Sequence, residues 1–283
     1  MSSEFTIRKN LENLLPDELT RLKAAFRKIM KRGKSDRLGY HYIAGIHDVP
    51  DSLCWHSHRE HQGYPDVALF LPWHRAYAYR IEKALQDEEP GVTLPYWDWR
   101  TDDNNPKIPD LFSKELDDDG TKNPFFNFHL NFPEFGVTRD TLRFPGQLPD
   151  GVDITLPTSK FVDEIVYDPD DSFYEFSERL RGIHNDIHVW TGGVVWKNGA
   201  WQQGDMGDQS FASFDPIFWF HHCIIDKLWW LWQKRNGINN IPNEWLDFVL
   251  EPFELKVRDV LNIDQLGYDY VEEGTVVGGN WNA

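Results

Sequence analysis

The sequence predicts a mainly α fold with long irregular loops and a few short strands. Three observations carry that expectation. Apolar residues recur at helical spacing in five separate segments. A long stretch, 101–170, is rich in Pro, Asp, Asn and Gly and holds no period. A single short segment around Asn198-Gly199 reads as a hairpin, with that dipeptide in the turn.

The first helix is expected over 17–32, where Leu19, Leu22, Phe26, Ile29 and Met30 share a face between Pro16 and Gly33. A second is expected over 36–48, ending just past His47. A third lies within 67–88 and stops at Pro90-Gly91; Pro72 places its start there, because proline suits a first helical turn. The irregular stretch carries Phe125, Phe126, Phe128, Phe132 and Phe135, which suits a long loop packed onto the domain better than a linker. A fourth helix is expected over 172–190. A fifth starts at Asp215-Pro216, a good N-cap and first-turn pair, and runs to about Arg235.

The chain has 283 residues, 40% hydrophobic and 15% aromatic with 13 tryptophans, enough for a substantial core. We read 1–283 as a single catalytic domain. The formal net charge of -17 disfavours nucleic acid and anionic membranes as partners. No segment approaches the roughly 18 apolar residues of a membrane span. The start, Met1-Ser-Ser-Glu-Phe-Thr, lacks the basic and apolar regions of a secretory signal, so a cytoplasmic location is expected. Two cysteines, Cys54 and Cys223, make no disulfide framework.

The histidines carry the chemistry. His184 and His188 are four apart, so on a helix they share a face and can hold one ion. His221 and His222 are adjacent and point about 100° apart, so at most one joins that ion. Asp226, one turn on, can orient His222 through its free ring nitrogen, or else pair with a Lys or Arg. Upstream, His74 lies among Phe70, Leu71 and Trp73, where a buried imidazole needs a partner. His47 ends the preceding helix. The loop between offers His56, His58 and His61, and spacing does not choose among them. Neutral nitrogen donors with few carboxylates favour copper or zinc over calcium or magnesium.

Several segments, in order, resemble the tyrosinase family, the type 3 copper group that includes catechol oxidases and molluscan haemocyanins. They are Ile43-Ala-Gly-Ile-His47, Leu69-Phe-Leu-Pro-Trp-His74-Arg75, Leu94-Pro-Tyr-Trp-Asp-Trp99, His184-Asn-Asp-Ile-His188-Val-Trp-Thr-Gly-Gly193 and Asp215-Pro-Ile-Phe-Trp-Phe-His221-His222. Tyr268-Asp-Tyr270 looks like the tyrosine pair that closes the family's core domain. The resemblance implies a four-helix bundle around two copper ions. One copper would take His47, a loop histidine and His74; the other His184, His188 and His222.

Cys54-Trp55-His56 looks like the family's Cys-x-His, in which sulfur bonds to the ring, and this points to His56 as the loop ligand. The gap from His56 to His74 exceeds the family's, and the insertion carries His58 and His61, so His61 rivals it. Phe218 matches a phenylalanine that packs over the coppers, and Gln209 falls near a residue that gates entry. Many relatives read Leu-Glu-Gly ahead of the His-Asn pair, where that Glu and the Asn help deprotonate phenols. This chain has Asn185 but reads Leu180-Arg181-Gly182, which leaves Glu175 or Glu178 as substitutes.

The expected activity is oxidation of catechols to o-quinones by O2, with ortho-hydroxylation of monophenols depending on that acid. Aromatic surroundings would stack the substrate ring. Three other readings compete. One is a catechol oxidase without monophenol activity. Another is a haemocyanin-like oxygen carrier, against which the end at Ala283 speaks, since it leaves no room for a C-terminal covering domain. The third is a dinuclear zinc hydrolase, which would want a carboxylate beside the histidines.

Overall fold

The computed structural model describes residues 5–49, 60–61, 64–102, 106–238 and 241–271. Cys54, His56, His58 and the side chain of His61 fall outside that description. The fold is mainly helical. Helix α1 (Pro16–Lys31) matches expectation and buries Leu22, Ala25, Phe26 and Ile29. Helix α2 (Tyr40–Gly45) is shorter than the expected 36–48, because turns closed by Asp36 N–H to Gly33 and Gly39 N–H to Asp36 occupy the start of that segment. Past its end, His47 N–H reaches back to the Ala44 carbonyl at 3.2 Å, which holds His47 on a tightened last turn.

Helix α3 (Asp66–Glu88) begins six residues ahead of Pro72, so the expected start at Pro72 is corrected. The missing proline N–H removes one helical bond, yet Leu69, Phe70, Leu71 and Trp73 are all buried around it. That burial outweighs the lost bond. Helix α4 (Ser159–Val166) falls in the stretch read as irregular; it is capped by Thr158 and buries only Val162, Ile165 and Val166. Eight residues are too few for a period to stand out. The phenylalanines of that stretch behave as expected in part: Phe125, Phe128 and Phe132 are in the core, while Phe135 is exposed.

Helix α5 (Phe173–Gly192) starts at a Ser172–Glu175 capping box. Helix α6 (Ile217–Asn236) is buried on nearly all sides, as befits the central element of the core, and stops at Gly237. Helix α3 packs against α2, α5 and α6, so the four histidine-bearing helices meet around it. Among the described residues, no helix is long and apolar enough to cross a membrane.

Among the described residues the strands form five two-stranded pairs. β1 (Thr6–Arg8) pairs with β10 (Tyr268–Tyr270) in parallel; β2 (Glu60–His61) with β3 (Tyr64–Pro65), β4 (His129–Phe132) with β5 (Val137–Asp140), β6 (Val194–Lys197) with β7 (Ala200–Gln203) and β8 (Val249–Leu250) with β9 (Leu255–Lys256) are antiparallel. The β6–β7 hairpin turns through Asn198 and Gly199, both at positive φ, as the Asn-Gly signal predicts.

Beneath the helices lies a buried ionic layer. Arg8 from β1 meets Glu82 of α3 at 2.6 Å and Asp226 of α6 at 3.0 Å, and stacks 3.6 Å from the Tyr268 ring. Asp226 also accepts from Arg75 and, at 2.7 Å each, from the Tyr268 and Tyr270 hydroxyls. Asp226 is therefore the hub of this layer, drawn to two guanidinium groups. Cys223 is plain core: its thiol points at the Leu94 carbonyl and burial pushes it up to about 12.

Candidate metal centre

Three ring nitrogens converge between α5 and α6. His222 Nε2 lies 3.2 Å from His184 Nε2 and 3.4 Å from His188 Nε2. Helical spacing puts His184 and His188 on one face of α5, with ring centroids 4.4 Å apart. Their far nitrogens are engaged. His188 Nδ1 donates to the Met206 carbonyl at 2.8 Å and His184 Nδ1 to Asn185 Oδ1 at 3.0 Å. A carbonyl oxygen can only accept, so both protons sit on Nδ1 and both Nε2 atoms present lone pairs.

Lone pairs brought this close repel unless a cation lies between them. Nitrogens about 2.0 Å from one ion at a tetrahedral angle stand about 3.3 Å apart, the separation seen here. The donor set thus fits a metal of the imidazole-binding kind.

On the other side of the centre, His74 stacks on His222 with centroids 4.6 Å apart, and His47 lies 6.0 Å from His74. Again the far nitrogens are fixed by carbonyls: His74 Nδ1 donates to Phe70 at 2.8 Å, and His47 Nδ1 to Gln209 at 3.2 Å. Burial drives these imidazoles toward the neutral form. His47 falls to about 3 and His188 to about 4; His74, His184 and His222 are well below the usual histidine range, each first by desolvation. Uncharged nitrogens are what a copper site needs.

The structure therefore brings together His47, His74, His184, His188 and His222. It separates the adjacent pair by tautomer. Trp99 Nε1–H donates to His221 Nδ1 at 3.1 Å, which leaves the His221 proton on Nε2. His221 lies within 4.8 Å of the other three in ligand atoms and stacks on His184 at 5.0 Å. The Trp99 contact could not be read from spacing.

Phe218 is buried at the centre, 4.1 Å from the His222 ring and 5.1 Å from His47. Glu175 does not reach the site, which corrects its expected part. It caps the start of α5, accepting from Ser172 N–H at 2.9 Å, nine residues and about 14 Å of helix from His184. Glu178, six residues and about 9 Å of helix from His184, is paired with Arg181 at 2.7 Å and does not line the cleft.

A cleft of about 340 Å3 opens onto the centre. His47, His184 and His188 form its floor, and Arg181, Asn185, Val189 and Gln209 line its sides. The loop that delivers the Met206 carbonyl crosses the end of α5 at Gly192. A Cβ there would stand 2.3 Å from the Gly207 nitrogen, so only glycine allows the approach.

Comparison with known proteins decides the family. Residues 37–235 match the tyrosinase model, "Common central domain of tyrosinase". The chain belongs to the tyrosinase family. The tyrosinase of Streptomyces glaucescens is 31% identical over 82% of this chain and 84% of its own length. An A-type haemocyanin of Enteroctopus dofleini is 32% identical over 92% of this chain, which spans only 21% of that long polypeptide. The solved functional unit of octopus haemocyanin matches with a TM-score of 0.69 at 26% identity, over 94% of this chain and 68% of that one. This is the type 3 copper family, and its centre holds two copper ions. Tyrosinases and oxygen carriers share it at about the same distance from this chain.

Proposed function

We propose that this tyrosinase-family protein oxidises catechols to o-quinones with O2, two catechols and one O2 giving two quinones and two waters. One copper is held by His47, His74 and a histidine of the 56–61 segment, the other by His184, His188 and His222. The observation that carries this reading is the cleft. It lets a small aromatic reach the floor formed by His47, His184 and His188, access that an enzyme needs and an oxygen carrier does not.

Copper held there would supply the redox chemistry that couples oxidation of the diol to reduction of O2. The chain's own groups do the rest. Carbonyls of Phe70, Met206 and Gln209 and the Asn185 amide hold the imidazoles in the tautomer that presents Nε2. Phe218 walls the centre with an apolar face that keeps water away. Val189, Asn185 and Gln209 line the cleft beside the histidines.

Among the described residues no carboxylate lines the cleft. A catechol that binds at copper needs less help in losing its protons than a monophenol does, so catechol oxidation is the principal activity and monophenol hydroxylation the minor one. The carrier reading draws its support from the octopus relative. Copper-loaded protein given 4-tert-butylcatechol should consume O2 continuously. Reversible O2 binding without turnover would favour the carrier instead. A monophenol under the same conditions should react far more slowly.

A further inference from the structure

One histidine at the centre is treated differently from its neighbours. His47, His74, His184 and His188 each set Nδ1 against an acceptor, which turns the Nε2 lone pair inward. His221 sets Nδ1 against a donor, the indole N–H of Trp99 at 3.1 Å. An indole nitrogen only donates, so the Nδ1 lone pair of His221 is committed to Trp99 and the ring proton sits on Nε2. Neither nitrogen of His221 then has a lone pair to offer a metal.

Yet His221 is placed like a ligand. It is fully buried, and its ring centre lies 5.0 Å from His184, 4.9 Å from His188 and 5.2 Å from His222. One ring nitrogen from each of these four histidines falls within 4.8 Å of the others. Nitrogens that share a tetrahedral ion stand about 3.3 Å apart, so a small closure would make a cage of four imidazoles. Four protein ligands close a metal site, whereas three leave a position for an outside molecule. The Trp99 bond stands between the two arrangements. Trp99 itself is anchored without help from the histidines. It is buried at the end of the 94–99 segment, where Trp97 N–H holds the Phe220 carbonyl at 3.0 Å and Tyr96 N–H the Lys9 carbonyl at 2.9 Å.

We propose that Trp99 is a positioning residue that withholds His221 from the metal and so keeps the copper at His184, His188 and His222 three-coordinate and open. The inference goes beyond the oxidase reading, because oxygen carriage needs the open position as much as oxidation does, and the two fail separately. Three measurements test it. In copper-free wild type with nitrogen-15-labelled histidine, NMR should find the His221 proton on Nε2, with its signals assigned by their loss in His221→Phe. In protein loaded with Cu(I), the X-ray absorption edge should show three-coordinate copper alone. Competition with a chelator then gives the rate at which copper leaves.

A partner that merely supports a metal ligand lowers metal affinity about 10–100-fold when it is removed. Trp99→Phe should do the reverse. Half of the copper should leave about 10-fold more slowly than from the wild type, as an added ligand demands, and a four-coordinate signal should appear at the edge. Trp99→Phe combined with His221→Phe should cancel both changes. Replacement of Trp99 by 3-benzothienylalanine keeps the shape of the ring and deletes only its N–H. It should repeat the Trp99→Phe result, and it decides the matter where a packing defect makes the two disagree. A His221 proton on Nδ1 in the wild type, or copper that leaves the isosteric variant as fast as the wild type or faster, overturns the proposal whatever the protein does with catechols.

Discussion

Two buried polar layers share the same helices and behave in opposite ways. Helix α3 contributes His74 to one and Arg75 and Glu82 to the other; α6 contributes His222 to the first and Asp226 to the second. The lower layer is nearly closed. Arg8, Arg75, Glu82, Asp226 and two tyrosine hydroxyls bond one another, Arg75 also reaches Gln233 and the Val260 and Leu261 carbonyls, and its Nη2, on a guanidinium stacked 3.6 Å from the Trp229 ring, has no acceptor among the described residues. In the upper layer, five imidazoles have their Nδ1 protons fixed or their rings stacked so that uncharged nitrogens face inward. A cation fits among them. Burial alone, then, does not mark a functional site; what marks this one is a set of uncharged nitrogens turned toward one another at a spacing that suits a metal ion.

That contrast can be broken from either side. The largest effect is expected at the hub of the lower layer. Asp226→Ala would strand Arg8 and Arg75 without their shared carboxylate, a loss of about 3–5 kcal/mol. Thermal unfolding should show it equally with and without copper, since no metal contact is removed.

Acid should attack the upper layer. His47 and His188 have native values of about 3 and 4 against an unfolded value of about 6.5, so the unfolded chain binds more protons below neutrality. Their contribution is intact above about pH 6.5 and is lost as pH falls from there towards 4. At pH 5 the two together give up roughly 4 kcal/mol in the copper-free protein. Denaturant titrations of copper-free protein at pH 7.5 and pH 5 would measure that loss; copper should delay it, because protons and metal compete for the same nitrogens.

A smaller effect is expected from Gly192→Ala. The added Cβ would push the Gly207 backbone and with it the Met206 carbonyl that sets the His188 tautomer. Overpacking of this kind costs about 1–3 kcal/mol. Copper affinity should fall along with stability, whereas the ionic layer stays intact.

How far the sequence reveals this arrangement depends on the range of the signal. His184 and His188 are legible because a helix converts a four-residue spacing into a shared face. α1, α5, α6 and the Asn198-Gly199 turn are legible for similar local reasons. Pro72 misleads, because the rule for proline in helices is local and the burial of Leu69, Phe70, Leu71 and Trp73 that overrides it is tertiary. Glu175 misleads for the converse reason: its Ser172 partner, three residues back, is a capping-box signature that outranks any distant role. Spacing leaves Asp226 open between His222 and a Lys or Arg, because the guanidinium groups that claim it come from β1 and α3. The carbonyls of Met206 and Gln209, which fix two imidazoles, have no side-chain signature at all.

The most direct measurement is copper bound per chain, read by metal analysis of reconstituted protein for the wild type and for His188→Ala. Two coppers are expected in the wild type and a fall towards one in the variant, with quinone formation abolished. Full activity retained by His188→Ala, or a wild type that takes up a single zinc in preference to copper, would contradict it.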